Sequence, residues 1–259
     1  MRAVAATLDL LRAAASDDPV LDVAVSHALL REVAVGRRGA ALRIFRPAPA
    51  VAFGRLDALR PGFPQACAWA AAHGYVPVLR SVGGHAAVYD ERCVLVEHVT
   101  PEDDVTAGLQ ERFAALAGRV REVLAEAGLD ARVGELSREY CPGAYSINVG
   151  GRLKVVGVAQ RTIRGAALAS AVVVVAGGPD LRAAITPVYA RLELDVDPAT
   201  AGALDEALPG LTAAGVAARL EERFARDWRL VPRELDPALL AAAGQLAARH
   251  RAAWAPGGG

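Results

Sequence analysis

Apolar positions at Leu21, Val25, Ala28, Leu29 and Val33 follow the capping stretch Ser16-Asp17-Asp18-Pro19. This spacing predicts a helix over 16–36 that ends near Gly36. Ala41–Phe53 reads as strands interrupted by Pro47 and Pro49, and Phe63–His73 as a second helix closed by Gly74. Tyr75–Arg80 is strand-like and runs into Ser81-Val82-Gly83-Gly84-His85, after which Ala86–Tyr89 and Cys93–Val99 continue as strands. A long helix over about Ala107–Glu126 stops at Gly128. Gly150-Gly151 separates two alternating runs, which predicts a hairpin, and Val172–Val175 predicts a buried strand. Helices near Thr212–Asp227 and Pro237–Ala253 follow. Strands and helices mix without a regular βαβ alternation, so the expected class is α+β: a single domain over 1–259 with a helical C-terminal portion at about 203–254.

Composition narrows the function classes. Hydrophobic residues make up 53% of the 259 and charged residues 22%, which supplies a core and excludes disorder. The 29 basic residues balance 29 acidic ones, so no dominant basic field points to nucleic acid. The longest apolar run, Gly165–Gly178, falls short of the roughly 20 residues a spanning helix needs, and Asp9 and Arg12 interrupt any signal-peptide core. Cys67, Cys93 and Cys141 are too scattered for a disulfide framework or a CxxC zinc site, and the five histidines lack metal-ligand spacing. The expectation is a cytoplasmic protein with reduced thiols, no metal, no membrane and no nucleic-acid partner.

Two features carry candidate chemistry. Lys154 is the only lysine, every other basic residue being arginine. It is either a chance survivor on a strand surface or a site needing a compact point charge or a transferable proton. Cys141, flanked by Pro142 and Gly143, lies on a bend, whereas Cys67 and Cys93 sit in apolar elements and read as inert buried thiols. A cysteine becomes nucleophilic when a nearby cation lowers its pKa. With a two-residue turn at Gly150-Gly151, Val149 faces Arg152 and Lys154 faces Ile147, leaving Cys141 roughly 20 Å away along a straight hairpin. The pair therefore meets only if Pro142-Gly143 folds Cys141 back over the sheet. Gly83-Gly84 is either an ordinary turn or a loop that lets a ligand approach the backbone, with Arg80 available for a carboxylate.

With these residues set out, the chain resembles the lipoate–protein ligase and octanoyltransferase superfamily, related in fold to biotin protein ligases. Arg80…Gly83-Gly84-x-Ala86…Asp90 is similar to its R-x-S-G-G-x-A-V-x-x-D loop, and Lys154-Val-Val-Gly157-Val-Ala159-Gln160 to its K-x-x-G-x-A/S-Q motif. Cys141-Pro-Gly-Ala-Tyr resembles the branch of octanoyl-[glycine cleavage H protein]:protein N-octanoyltransferases. Val82, Leu95 and Ser146 depart from the family pattern. The resemblance implies mixed sheets flanked by helices and acyl transfer with no ATP and no cofactor. An octanoyl or lipoyl group would pass from the lipoyl lysine of glycine cleavage H protein to 2-oxoacid dehydrogenase E2 subunits. It also implies Cys141 as the thioester nucleophile, with Lys154 lowering the thiol pKa and polarising the carbonyl or shuttling a proton. Arg80, Gly83, Gly84, His85, Ala86, Gly143, Gly157 and Ala159 would contact the substrate, the backbone around Gly83, Gly84 and His85 touching the acyl chain and carbonyl. Two alternatives stay open: an ATP-dependent ligase in which Lys154 holds an acyl-adenylate, and a non-catalytic acyl or lipoyl-domain binding protein.

Overall fold

The computed structural model describes residues 6–104 and 108–252. Eleven strands and six α-helices are present among them: β1 (Thr7–Leu11), α1 (Pro19–Ala34), β2 (Ala41–Phe45), β3 (Ala50–Phe53), α2 (Phe63–Ala72), β4 (Val76–Leu79), β5 (Ala87–Tyr89), β6 (Cys93–Glu102), α3 (Leu109–Glu126), β7 (Ala131–Val133), β8 (Ile147–Val149), β9 (Leu153–Ile163), β10 (Gly165–Val174), α4 (Gly178–Arg191), α5 (Ala213–Ala225), β11 (Arg229–Arg233) and α6 (Pro237–Ala247). The α+β expectation holds. A mixed eight-stranded sheet runs β11-β1-β2-β6-β10-β9-β8-β7, and a three-stranded sheet runs β4-β3-β5.

Local chemistry explains most of the starts and stops. Asp18 caps α1 by accepting from the Val20 amide at 2.9 Å, with Pro19 in the first turn. Thr212 and Asp236 cap α5 and α6 the same way. Four elements were not expected from the sequence, the three-residue β7 among them. Helix α4 is obscured by its Gly-Pro start and by Pro187 inside it, which cannot donate a helical hydrogen bond. Strands β1 and β11 are short, and β11 joins β1 in parallel, so the C-terminal portion is not purely helical. The ends of the α3 and C-terminal helix predictions, at Ala107 and Ala253, lie outside the described residues.

Alternation along β6 and β10 gives the large sheet two different faces. Val94, Val96, Ala169, Ala171 and Val173 face α3 and α5, where Leu116, Val120, Leu220 and Phe224 complete a buried cluster. Each fully buried Val, Leu or Phe among them contributes about 1.5–3 kcal/mol. On the opposite face, Phe45, Leu95 and Val172 turn toward the small sheet and α1. Helix α1 is sealed from behind by α6 through Leu239, Ala243 and Leu246. Between this second face and the small sheet the packing leaves a cleft.

Candidate active site

The β8–β9 hairpin turns at Gly150 and Gly151, whose φ of 62° and 70° suit glycine, and Arg152 N–H closes it on Val149 O at 3.2 Å. Its register corrects the two-residue expectation. Val149 pairs with Leu153 and Asn148 with Lys154, and a bulge then sets Ile147 against Val156. Arg152 is an extra loop residue, and one extra residue changes every cross-strand partner beyond the turn. Lys154, far from a strand surface, is completely buried.

The fold-back that the sequence required is present. Residues 139–141 lie over Lys154, whose Nζ donates to Glu139 Oε1, Tyr140 O and Cys141 O, each at 2.8 Å. Those three bonds use every hydrogen of the ammonium. Glu139 is equally sealed and accepts a further bond from Ser146 Oγ at 2.5 Å. Cys141 has φ of 43°, a left-handed backbone unusual for a residue with a side chain. Lys154 grips its carbonyl, and the Cys141 amide donates to Tyr189 Oη at 2.6 Å, while that hydroxyl donates to Ala86 O at 2.9 Å. The strained bend is thus held from both sides, by β9 and by α4.

Arg80 supplies the contact to sulfur. Its Nη2 donates to Cys141 Sγ at 3.1 Å, and the His85 amide adds a smaller stabilisation of the ionised sulfur. Gly84, at φ of 95°, makes this possible: a Cβ there would come within 2.7 Å of Sγ and 2.3 Å of Arg80 Nη2. Gly54 is as constrained, because a Cβ would fall 1.8 Å from Gly84 O. The loop is tied to β9 by Gly83 N–H on Gln160 O at 3.3 Å and by Arg161 Nη1 on Ser81 O at 3.0 Å. Burial alone would raise the Cys141 pKa, but the charges of Arg80 and Lys154, with the Arg80 hydrogen bond, outweigh it and hold the thiol below its ordinary value. Burial pushes Cys67 and Cys93 up to about 12, for Cys93 against the weaker opposing charge of Arg92. Burial also depresses the Lys154 ammonium, against the opposing pull of Cys141 and Glu139.

The cleft opens beside Cys141. Its walls near the sulfur are apolar, from Leu95, Val172 and Gly157 on the large sheet and Ala52, Ala87 and Val88 on the small one. Two residues further along the strands the same sheet face turns polar. Arg43, Glu97, Ser170 and Ala159 form one cross-strand row, with Asp22 and Ser26 of α1 beside it.

Of the residues singled out from sequence, Cys141, Arg80, Gly157 and Ala159 line this cleft. Gly83 and Gly84 form the loop over the sulfur, while Ala86 is fully buried and meets Tyr189 through its carbonyl. Gly143 lies past the bend, where its carbonyl accepts from Ser146 N–H at 2.9 Å. Glu139 and Tyr189 were missed: each acts across a tertiary contact, 15 and 48 residues from its partner, and only the adjacency of Glu139 to Tyr140-Cys141 could have flagged it.

The family model of the lipoyl protein ligase A/B catalytic domain matches residues 18–225, across the thiol, the lysine, the glycine loop and the cleft. The chain belongs to that family. Among its relatives, the octanoyl-[GcvH]:protein N-octanoyltransferase of Geobacillus kaustophilus (strain HTA426) is 30% identical over 142 residues, 55% of this chain and 50% of that protein. The namesake from Anoxybacillus flavithermus (strain DSM 21510 / WK1) is 28% identical over 235 residues, 86% of this chain and 84% of that protein. The chain spans about half the length of the Geobacillus and Exiguobacterium relatives it matches. Two solved structures share the fold. A lipoate-protein ligase A bound with ATP superposes with a TM-score of 0.71 at 21% identity, covering 95% of each chain. A putative lipoate protein ligase from T. acidophilum with bound lipoic acid gives 0.72 at 20%, covering 95% of this chain and 96% of the other.

Proposed function

We propose that this chain is an acyltransferase that moves an octanoyl or lipoyl group between lysines of lipoyl-domain proteins through a thioester on Cys141. The carrying observation is the half-buried thiol at the mouth of an apolar cleft, held below its ordinary pKa beside Arg80. Such a thiol is a nucleophile near neutral pH. A medium-chain acyl group gains about 0.8 kcal/mol for each methylene buried in such a cleft. The Gly83-Gly84-His85 loop covers the sulfur, and its backbone amides are the donors that would meet an oxyanion developing next to it. In this reading Lys154 contributes charge and fixes the bend, because its hydrogens are committed and none is left to pass on. The same commitment argues against Lys154 holding an acyl-adenylate.

The names of the relatives support glycine cleavage H protein as the acyl donor, and 2-oxoacid dehydrogenase E2 lipoyl domains are the acceptors that this chemistry suits. The test is intact-protein mass spectrometry after incubation with octanoylated H protein. An adduct of octanoyl mass on Cys141, and no transfer above background in Cys141→Ala, is the expected result. Transfer that survives Cys141→Ala, or pyrophosphate release with ATP and lipoate in that variant, overturns the thioester reading in favour of a ligase.

A further inference from the structure

Aminolysis of a thioester by lysine needs a proton acceptor, because the side chain arrives as an ammonium with a pKa of about 10.4 and attacks only as the free amine. The groups round Cys141 leave few candidates. Lys154 has no free hydrogen to exchange, and Glu139 is sealed between Lys154 and Ser146. Arg80 does not deprotonate in proteins. The Tyr189 hydroxyl is clamped between the Cys141 amide and Ala86 O, and burial raises its pKa.

His85 is different. It directly follows Gly84, where a Cβ would lie 2.7 Å from Cys141 Sγ, so its ring is carried on the loop that covers the sulfur. Its Nδ1 lies 2.7 Å from Asp57 Oδ1. Asp57 is fully buried and is fixed by the Gly54 amide, which donates to Oδ2 at 2.8 Å. A carboxylate only accepts, so the proton of the imidazole sits on Nδ1 and the lone pair on Nε2. Nε2 has no hydrogen-bond partner among the described residues, and the side chain is 29% exposed. The charged groups facing this unit are Asp57 from the turn Asp57–Leu59 and, across Gly84, Arg80 and Cys141. A base open on one ring nitrogen and held on the other by a buried carboxylate is the arrangement acyl-transfer sites use to move protons.

We infer that His85 is the acid–base group of this transfer and that Asp57 is its positioning residue, an inference that rests on the thioester reading above. In the forward step His85 Nε2 takes one proton from the incoming lysine ammonium and releases it to water at the mouth. The neutral amine then forms the C–N bond to the thioester carbonyl. The C–S bond breaks with its electron pair retained on sulfur, beside Arg80, and the second amine proton passes to Nε2. In the reverse step, acylation of Cys141 by an amide donor, the protonated ring returns a proton to the leaving lysine.

The test separates loading from transfer. Wild type, His85→Gln and Asp57→Asn are loaded on Cys141 with the octanoyl thioester of N-acetylcysteamine, whose thiol leaving group needs no strong proton donor. Transfer to a lipoyl-domain lysine is then followed by mass in single turnover. For His85→Gln the ratio of transfer rate to loading rate should fall by about 10²-fold near pH 7. The deficit should shrink as pH rises and be partly restored by added imidazole, which a misfolded variant would not show. Asp57→Asn should lose less and keep its imidazole response. A His85→Gln protein with the wild-type ratio and pH profile, or an equal loss of loading and transfer without imidazole rescue, overturns the inference. Failure of the wild type to load on Cys141 overturns the thioester reading and the inference with it.

Discussion

Two buried clusters of charge flank the same cleft and differ in the sign of their imbalance. In the polar row, one cation, Arg43, faces two carboxylates. It pairs with Asp22, lies 3.6 Å from Glu97 and also donates to the carbonyls of Ala13 and Asp22. Beside Cys141 two cations, Arg80 and Lys154, face one carboxylate, Glu139. Burial disfavours net charge in either place, and the proton equilibria shift in opposite senses. In the first cluster burial raises Asp22 and Glu97 despite Arg43, and one Asp22 oxygen has no partner. In the second the surplus positive charge favours a thiolate and holds Cys141 below its ordinary pKa. Excess negative charge therefore favours the protonated acids of a structural floor, and excess positive charge favours the ionised form of a nucleophile.

The largest effect that would break this comparison is on stability. Arg43→Met leaves two sealed carboxylates without a cation and should cost about 3–5 kcal/mol in urea unfolding at pH 7. A loss below about 1 kcal/mol would show that both acids are already neutral. The thiol cluster is tested by its sign. Alkylation of Cys141 by iodoacetamide, followed by peptide mass against pH, should have a midpoint below that of a free cysteine, about 8.5. Arg80→Met should raise that midpoint by about 1–3 units, and Glu139→Gln should lower it further. Shifts of the same sign in both variants would refute the charge-surplus account. Cys67 and Cys93 should stay unmodified at pH 8 in the folded protein, since burial holds each near 12.

The smallest effect concerns Glu97. Its pKa in the folded chain lies above the unfolded value, so the native state binds the extra proton and stability falls as pH rises from about 4.5 through the raised value. Glu97→Gln mimics the protonated acid and should change stability at low pH by less than about 1 kcal/mol. It should also remove part of the decline toward neutral pH. An unchanged pH dependence would place the surplus proton on Asp22.

Much of this arrangement was legible before any fold was known, for reasons visible in particular residues. Lys154 stood out as the sole lysine, and Cys141 as the one thiol beside Pro and Gly on a bend. The condition that the bend fold back over β9 followed from strand rise, and the grip of Lys154 on the Cys141 carbonyl meets it. The hairpin register was misplaced by one residue because a Gly-Gly turn does not reveal that Arg152 also belongs to the loop. Helix α4 went unseen behind its two prolines, and with it Tyr189.

The sequence by itself determined the thiol and the lysine as the groups able to react, where the chain must turn and most of the elements, since those rest on local chemistry: side-chain type, periodicity, capping and the backbone freedom of glycine. Only the tertiary structure decided that Arg80 rather than Lys154 touches the sulfur, across 61 residues of chain, and that Lys154 is buried behind it with Glu139. It likewise decided that Asp57 lies under His85 and that charge of one sign exceeds the other at each end of the cleft. Electrostatic interaction depends on distance in space and on burial, and neither is written in the order of residues along a chain.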